Sequence, residues 1–146
     1  MGDLSKDINS NFPNQRLKAL VNIKYTANYF DQIGASALKP FEISEPQYNI
    51  LRILRGAGQA ITVNQVKERM VQKSPNSTRL MDKLCEKDLI VRSRCESDRR
   101  VVYVQISKKG LDLLDRIRFD DFDKHMKRLS SEEARKLNEL LDKIRD

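Results

Sequence analysis

The sequence predicts a mainly α-helical fold with a small two-stranded β-hairpin, and three observations predict it. Apolar residues recur in steps of three and four along most of the chain, the mark of amphipathic helices. Ser44 with Gln47, Thr62 with Gln65, and Ser130 with Glu133 each have the spacing by which a hydroxyl and a longer side chain satisfy the free amides of a helix start. Two neighbouring runs, "LIVRSRC" and "VVYVQIS", are β-branched and aromatic like strands, and a polar tip separates them.

The elements follow in order. Leu17, Leu20, Val21, Tyr25, Tyr29, Ile33 and Ala37 trace one stripe from Gln15 to Leu38, a long helix that must break before Pro40. In "SEPQYNILRILRG" the Ser44 cap and Pro46 start a helix, Tyr48, Leu51 and Leu54 give its buried side, and Gly56 and Gly58 end it. "ITVNQVKERM" gives a short helix capped by Thr62, with Val63, Val66 and Met70 turned inward. In "SPNSTRLMDKLCEKDL", Ser74 is the expected N-cap, Pro75 the first helical residue, and Leu80, Met81 and Leu84 the core side. The hairpin that follows places Val102, Val104 and Ile106 on one face. Ser107 is expected to cap a helix running to about Leu129, and the last helix carries Ala134, Leu137, Leu140, Leu141 and Ile144 as its stripe.

Two strands cannot build a core of their own, so the hairpin must lean on the helices beside it. A short helix, a turn, a second helix and a basic hairpin describe a winged helix-turn-helix, in which the second helix enters the DNA major groove. The expected organisation is a single domain over residues 1–146, with residues 44–106 forming the winged helix-turn-helix lobe and residues 10–43 and 107–146 forming flanking helices. Those first and last helices hold more apolar stripe than a monomer of this size needs. Dimerisation would cover it, although packing within one subunit fits the same pattern.

Charge supports a polyanionic partner. The net charge is +7, yet the segment from Thr62 to Gly110 alone carries +6, so the surplus is a local field and not a diffuse one. The chain begins "MGDLSKDINSNF", without a basic region leading into an apolar run, and no stretch is apolar enough to cross a bilayer. Lys6 stands where a myristoylation signal wants Ser or Thr. Cys85 and Cys95 match no metal or redox spacing and fit a reducing compartment. A cytoplasmic protein without membrane partners is expected. Its one histidine, His125, has no activating group in the sequence pattern, there is no Gly-rich phosphate loop, and two unclustered cysteines suggest no zinc site, so neither enzyme, cofactor nor metal is expected.

The stretches "QYNILRIL", "TRLMDKL" and "DLIVRSRCESDRRVVYVQISKKG", the last with its Asp-x-Arg wing and apolar-Ser-x-x-Gly ending, resemble the MarR family of bacterial transcriptional regulators. The resemblance covers Ser44 to Gly110 well and the flanking helices in outline. It implies a homodimer joined by the outer helices, acting as a ligand-responsive repressor on double-stranded DNA. A two-fold dimer would meet successive major grooves about 34 Å apart, so a palindromic operator is expected. One departure is visible. The family usually has Gly where this chain has Asp88, and aspartate enters the left-handed conformation less easily.

The expected DNA-binding residues are Asn76, Ser77, Thr78, Arg79, Lys83, Arg94, Asp98, Arg99 and Arg100. Small polar groups let the start of the second helix sit close to the duplex. Asn76 suits adenine, and Arg79 suits guanine or phosphate. Lys83, with Lys73 in the turn, would neutralise backbone charge. At the hairpin tip, a guanidinium is drawn to the negative potential of a narrow minor groove, and Asp98 is expected to hold Arg100 through charge-assisted hydrogen bonds. The resemblance implies the same, with Arg100 at the tip and Arg94 or Arg99 on phosphates. It also implies a small aromatic or anionic effector in a cleft for which Tyr25, Tyr29, Phe30 and Tyr48 are the aromatic residues on offer, although aromatics at helical spacing are more often plain core. Basic surroundings are expected to favour thiolate at Cys85 and Cys95, as in relatives that sense oxidants, but neither lies in the first helix where those relatives place the sensing thiol. The competing reading is a winged-helix protein-interaction module with no direct DNA readout, which a shallow salt dependence of binding would reveal.

Overall fold

The computed structural model describes residues 2–146. In chain order its elements are α1 (Leu4–Asp7), α2 (Gln15–Leu38), a short 3-10 turn (Lys39–Phe41), α3 (Glu45–Ala57), β1 (Ile61–Thr62), α4 (Val63–Arg69), α5 (Ser77–Glu86), β2 (Ile90–Arg94), β3 (Val102–Ile106), α6 (Lys108–Arg116), α7 (Asp120–Met126) and α8 (Ser131–Arg145). The chain divides into two compact units. A central lobe runs from Gly34 to Arg118, and a terminal unit holds the segments up to Ile33 and from Phe119 onward. The lobe therefore takes in α6 as well as the expected residues 44–106.

The lobe has a closed core. Ile50, Leu51, Val66, Met81, Leu84 and Val104 expose no surface, and they come from α3, α4, α5 and β3. Tyr48, expected on the buried side of α3, is only half-buried, and Ile50 takes the central position. All three capping boxes form, at Ser44, Thr62 and Ser130, and Gly58 ends α3 in the left-handed conformation (φ 64°).

The sheet has three strands where two were expected, in the order β1-β3-β2 and all antiparallel. Ile61 and Thr62 pair with Val104 and Tyr103, and Thr62 then caps α4. Two residues are too few to leave an alternating pattern. The long helix expected from Ser107 to about Leu129 is also interrupted. Ile117 leaves α6 in an extended conformation (φ −77°, ψ 126°) and buries its side chain, and α7 opens with Asp120, Asp121 and Asp123, whose carboxylates suit a positive helix start. Similarly, α5 begins two residues later than Ser74 and Pro75 suggested. Asn76 is the N-cap residue, with no side-chain cap bond.

The end of α5 fixes the root of the wing. Asp88 adopts the left-handed conformation (φ 58°), its amide donates to the Cys85 carbonyl at 2.9 Å, and the Leu89 amide donates to the Leu84 carbonyl at 3.0 Å. Ser107 ties the returning strand to the same turn. Its hydroxyl donates to the Asp88 carbonyl at 2.6 Å and its amide to the Leu89 carbonyl at 3.0 Å. Gly110 follows because a Cβ there would stand 2.3 Å from the Leu89 carbonyl oxygen and 2.7 Å from Ile106 Cγ1.

In the terminal unit, α7 and α8 bury no residue, and Leu137, Leu140 and Ile144 are 42%, 52% and 66% exposed. Among the described residues no helix is long and apolar enough to cross a membrane.

Candidate nucleic-acid interface

Helix α5 has two faces. Ser77, Met81 and Leu84 point into the core, while Asn76, Arg79 and Lys83, spaced by three and four residues, share the exposed side with Thr78 beside them. Ser77 is thus a correction to the expected contact set. It is 1% exposed, and its hydroxyl donates to the Ser74 carbonyl at 2.7 Å and lies 3.5 Å from Met70 Sδ. A side chain that closes the preceding turn cannot also meet a duplex. Lys73 is exposed and donates to the Glu68 carbonyl at 3.3 Å.

The wing tip is ordered by its backbone. The Arg100 amide donates to Asp98 Oδ1 at 3.0 Å, the Val101 amide to the Asp98 carbonyl at 3.0 Å, and the Cys95 amide to the Val101 carbonyl at 3.0 Å. Asp98 was expected to hold the Arg100 guanidinium, and this too is corrected: its short side chain reaches the amide two residues on, and among the described residues it makes no ion pair. The consequence is a fixed turn with both Arg99 and Arg100 exposed. Arg94 is exposed as well, and its Nη1 donates to the Arg99 carbonyl at 3.3 Å.

An ion pair that the sequence reading did not single out joins the two parts. Arg92 of β2 and Asp82 of α5 meet at 2.5 Å (Nη2 to Oδ1). The signal was present in the strand alternation, which puts Arg92 on the face of Ile90, although its partner on α5 required the tertiary fold.

The two cysteines differ. Burial pushes the Cys85 thiol up, against the pull of Arg92, so the expectation of a thiolate-favouring site is corrected there. Cys95 is lowered, first by its hydrogen bond with the Ser97 hydroxyl at 3.1 Å and then by the Asp98 and Ser97 amides.

The aromatic residues offered for an effector fall in both units. Tyr48 belongs to the lobe, with the Arg52 guanidinium 5.9 Å over its ring. Tyr25, Tyr29 and Phe30 lie in the terminal unit. There the Tyr29 hydroxyl is 2.9 Å from His125 Nε2, and Phe30 packs on Phe122 at 5.6 Å between ring centroids. Beside them an apolar groove of about 900 Å³ is lined by Ile23, Ala27, Phe30, Leu137, Leu140 and Ile144, among others.

Residues 43–102 match the MarR family. The HTH-type transcriptional regulator MhqR of Bacillus subtilis is 30% identical over 105 residues, which span 70% of this chain and 72% of that protein. Among solved structures, a MarR transcription factor from Planctomyces limnophilus has a TM-score of 0.68 at 29% identity, over 92% of this chain and 98% of the other. A mutant MarR from E. coli complexed with operator DNA has a TM-score of 0.69 at 26% identity, over 98% of this chain and 99% of the other.

Proposed function

The chain belongs to the MarR family of transcriptional regulators, and from that premise we propose that it is a homodimeric repressor that reads a palindromic operator and answers to a small aromatic or anionic effector. It acts in the cytoplasm, by binding and not by catalysis.

One observation carries the DNA reading. Arg79 and Lys83 on α5, and Arg99 and Arg100 at the wing tip, are exposed and have no carboxylate partner among the described residues, whereas Arg92 behind them is paired. Basic groups not neutralised internally remain available to displace counterions from a duplex. Asn76, Thr78 and Arg79 are assigned to the major groove, Arg100 to the adjacent minor groove, and Lys83, Arg94 and Arg99 to phosphates. Asp98 contributes by shaping the turn. The groove between α2 and α8 supports the dimer, because its apolar walls would otherwise face water. For the effector, the aromatic surface of Tyr29, Phe30, Phe122 and His125 supports a planar organic molecule.

Selection of bound duplexes from random DNA tests this reading. An inverted repeat with half-sites about one helical turn apart is expected. Arg100→Ala should weaken binding to the selected duplex roughly tenfold, the scale of one lost base or groove contact, and lessen the salt dependence. Absence of any enriched repeat, or an Arg100→Ala protein with unaltered affinity and salt slope, overturns it. A shallow salt response in the unmodified protein points instead to a protein partner.

A further inference from the structure

The inward face of β2 is unusual for so small a sheet. Register pairs Ile90 with Ile106, Arg92 with Val104 and Arg94 with Val102, so the three β2 residues share the face on which Ile90 and Val104 are buried. The opposite strand is aliphatic along this face; β2 is aliphatic only at its root. An arginine there can lay its stem along apolar surface, but its guanidinium needs a polar partner. Asp82 supplies it at 2.5 Å, from the turn of α5 between Arg79 and Lys83. Arg94 continues the line, reaching the Arg99 carbonyl at the tip. Two separate polar contacts therefore tie β2, at Arg92 to the middle of the reading helix and at Arg94 to the loop that carries Arg99 and Arg100.

Both side chains of the pair keep solvent contact, 33% for Arg92 and 47% for Asp82, so the pair contributes little to the stability of the fold. Its effect is geometric. We infer that Asp82 and Arg92 are positioning residues, whose ion pair sets the angle of the wing against α5 so that helix and wing tip enter adjacent grooves in one register. This inference rests on the proposed DNA reading and deepens it. Specific binding needs both elements in register, while non-specific binding needs only charge.

The test compares binding to the selected palindrome and to a scrambled duplex of equal length. Arg92→Gln should weaken the palindrome about tenfold, the cost of ordering a freed hairpin on binding, with scrambled binding and the salt slope unchanged. Arg92→Lys, which keeps the charge, should recover most of the loss. In an Arg100→Ala background, Arg92→Gln should add little, because the wing no longer engages its groove. If the salt slope falls by about 0.9, Arg92 touches a phosphate itself and the inference is wrong. Equal losses on both duplexes, or none, also overturn it. Should Arg92→Gln fail to fold, Asp82→Asn serves in its place, and the ratio of palindrome to scrambled affinity must fall. If the unmodified protein enriches no palindrome, the DNA reading has failed; if it does and the variants keep the ratio, only the positioning role has failed.

Discussion

The lobe and the terminal unit solve the same problem differently. Among the described residues, every buried hydrophobic side chain lies between Leu38 and Ile117, with the single exception of Leu4. Both units carry apolar stripes, but those of the lobe close on one another, while Leu17, Leu20, Leu137, Leu140 and Ile144 remain exposed. A reader of DNA has to be rigid on its own, because its contacts must be in place before the duplex arrives. The terminal helices need no such independence if a second copy completes them. Their exposed stripe is the feature that a dimer would remove from water, at roughly 25 cal/mol per Å² of apolar surface.

The largest expected effect breaks that contrast at its open side. Leu140→Asp puts a charge into the apolar groove and should yield a monomer by sedimentation. Operator affinity should fall by about a hundredfold or more, because two half-sites are then no longer held by one particle. The lobe should keep its fold, seen as unchanged dispersion of its amide resonances. A Leu140→Asp protein that still sediments as a dimer shows that the stripe serves another purpose.

An intermediate effect tests the closed side. Gly110→Ala forces a methyl against the Leu89 carbonyl, 2.3 Å from its ideal position, and backbone cannot yield as a side-chain tip can. A loss of about 1–3 kcal/mol is expected, in the range of overpacked cores. Asp88→Gly should act in the opposite direction by up to ~1 kcal/mol, since glycine removes the left-handed strain at φ 58° but adds chain entropy. Thermal unfolding measures both, and neither should alter the oligomeric state. If Gly110→Ala dissociated the dimer, the division between the two units would not hold.

How much of this was legible in the sequence follows from the range of each interaction. Capping boxes are local, so Ser44, Thr62 and Ser130 could be placed without a fold. The exposed face of α5 followed from periodicity once Met81 and Leu84 were assigned inward. Ser77 was misjudged because a small hydroxyl at a helix start looks alike whether it faces DNA or closes the turn behind it. Its burial depends on Met70, seven residues away. The strand β1 and the pair between Asp82 and Arg92 are products of tertiary pairing, which periodicity does not encode. The break after Arg116 was marked by the aspartates at the start of α7, but continued helical spacing concealed it.

The smallest effect sharpens the contrast by asking what holds the terminal unit within one chain. Beside the contacts of Tyr29 with His125 and of Phe30 with Phe122, one tie lies at the surface. Lys18 Nζ meets Asp3 Oδ1 at 2.7 Å, and Asp3 also caps α1 by accepting from the Ser5 amide at 2.9 Å. Lys18, and after it the Ser5 amide, lower the Asp3 carboxyl from 3.8 to about 2. Because the folded value is the depressed one, whatever stability the tie contributes is fully present above pH 3.8 and is lost as pH falls through about 2. Lys18→Met should return the Asp3 carboxyl titration toward its ordinary value, observed by carbon-detected NMR, with little change in melting temperature at neutral pH. A large drop in melting temperature would mean that the terminal unit depends on its own surface ties and has less need of a second copy.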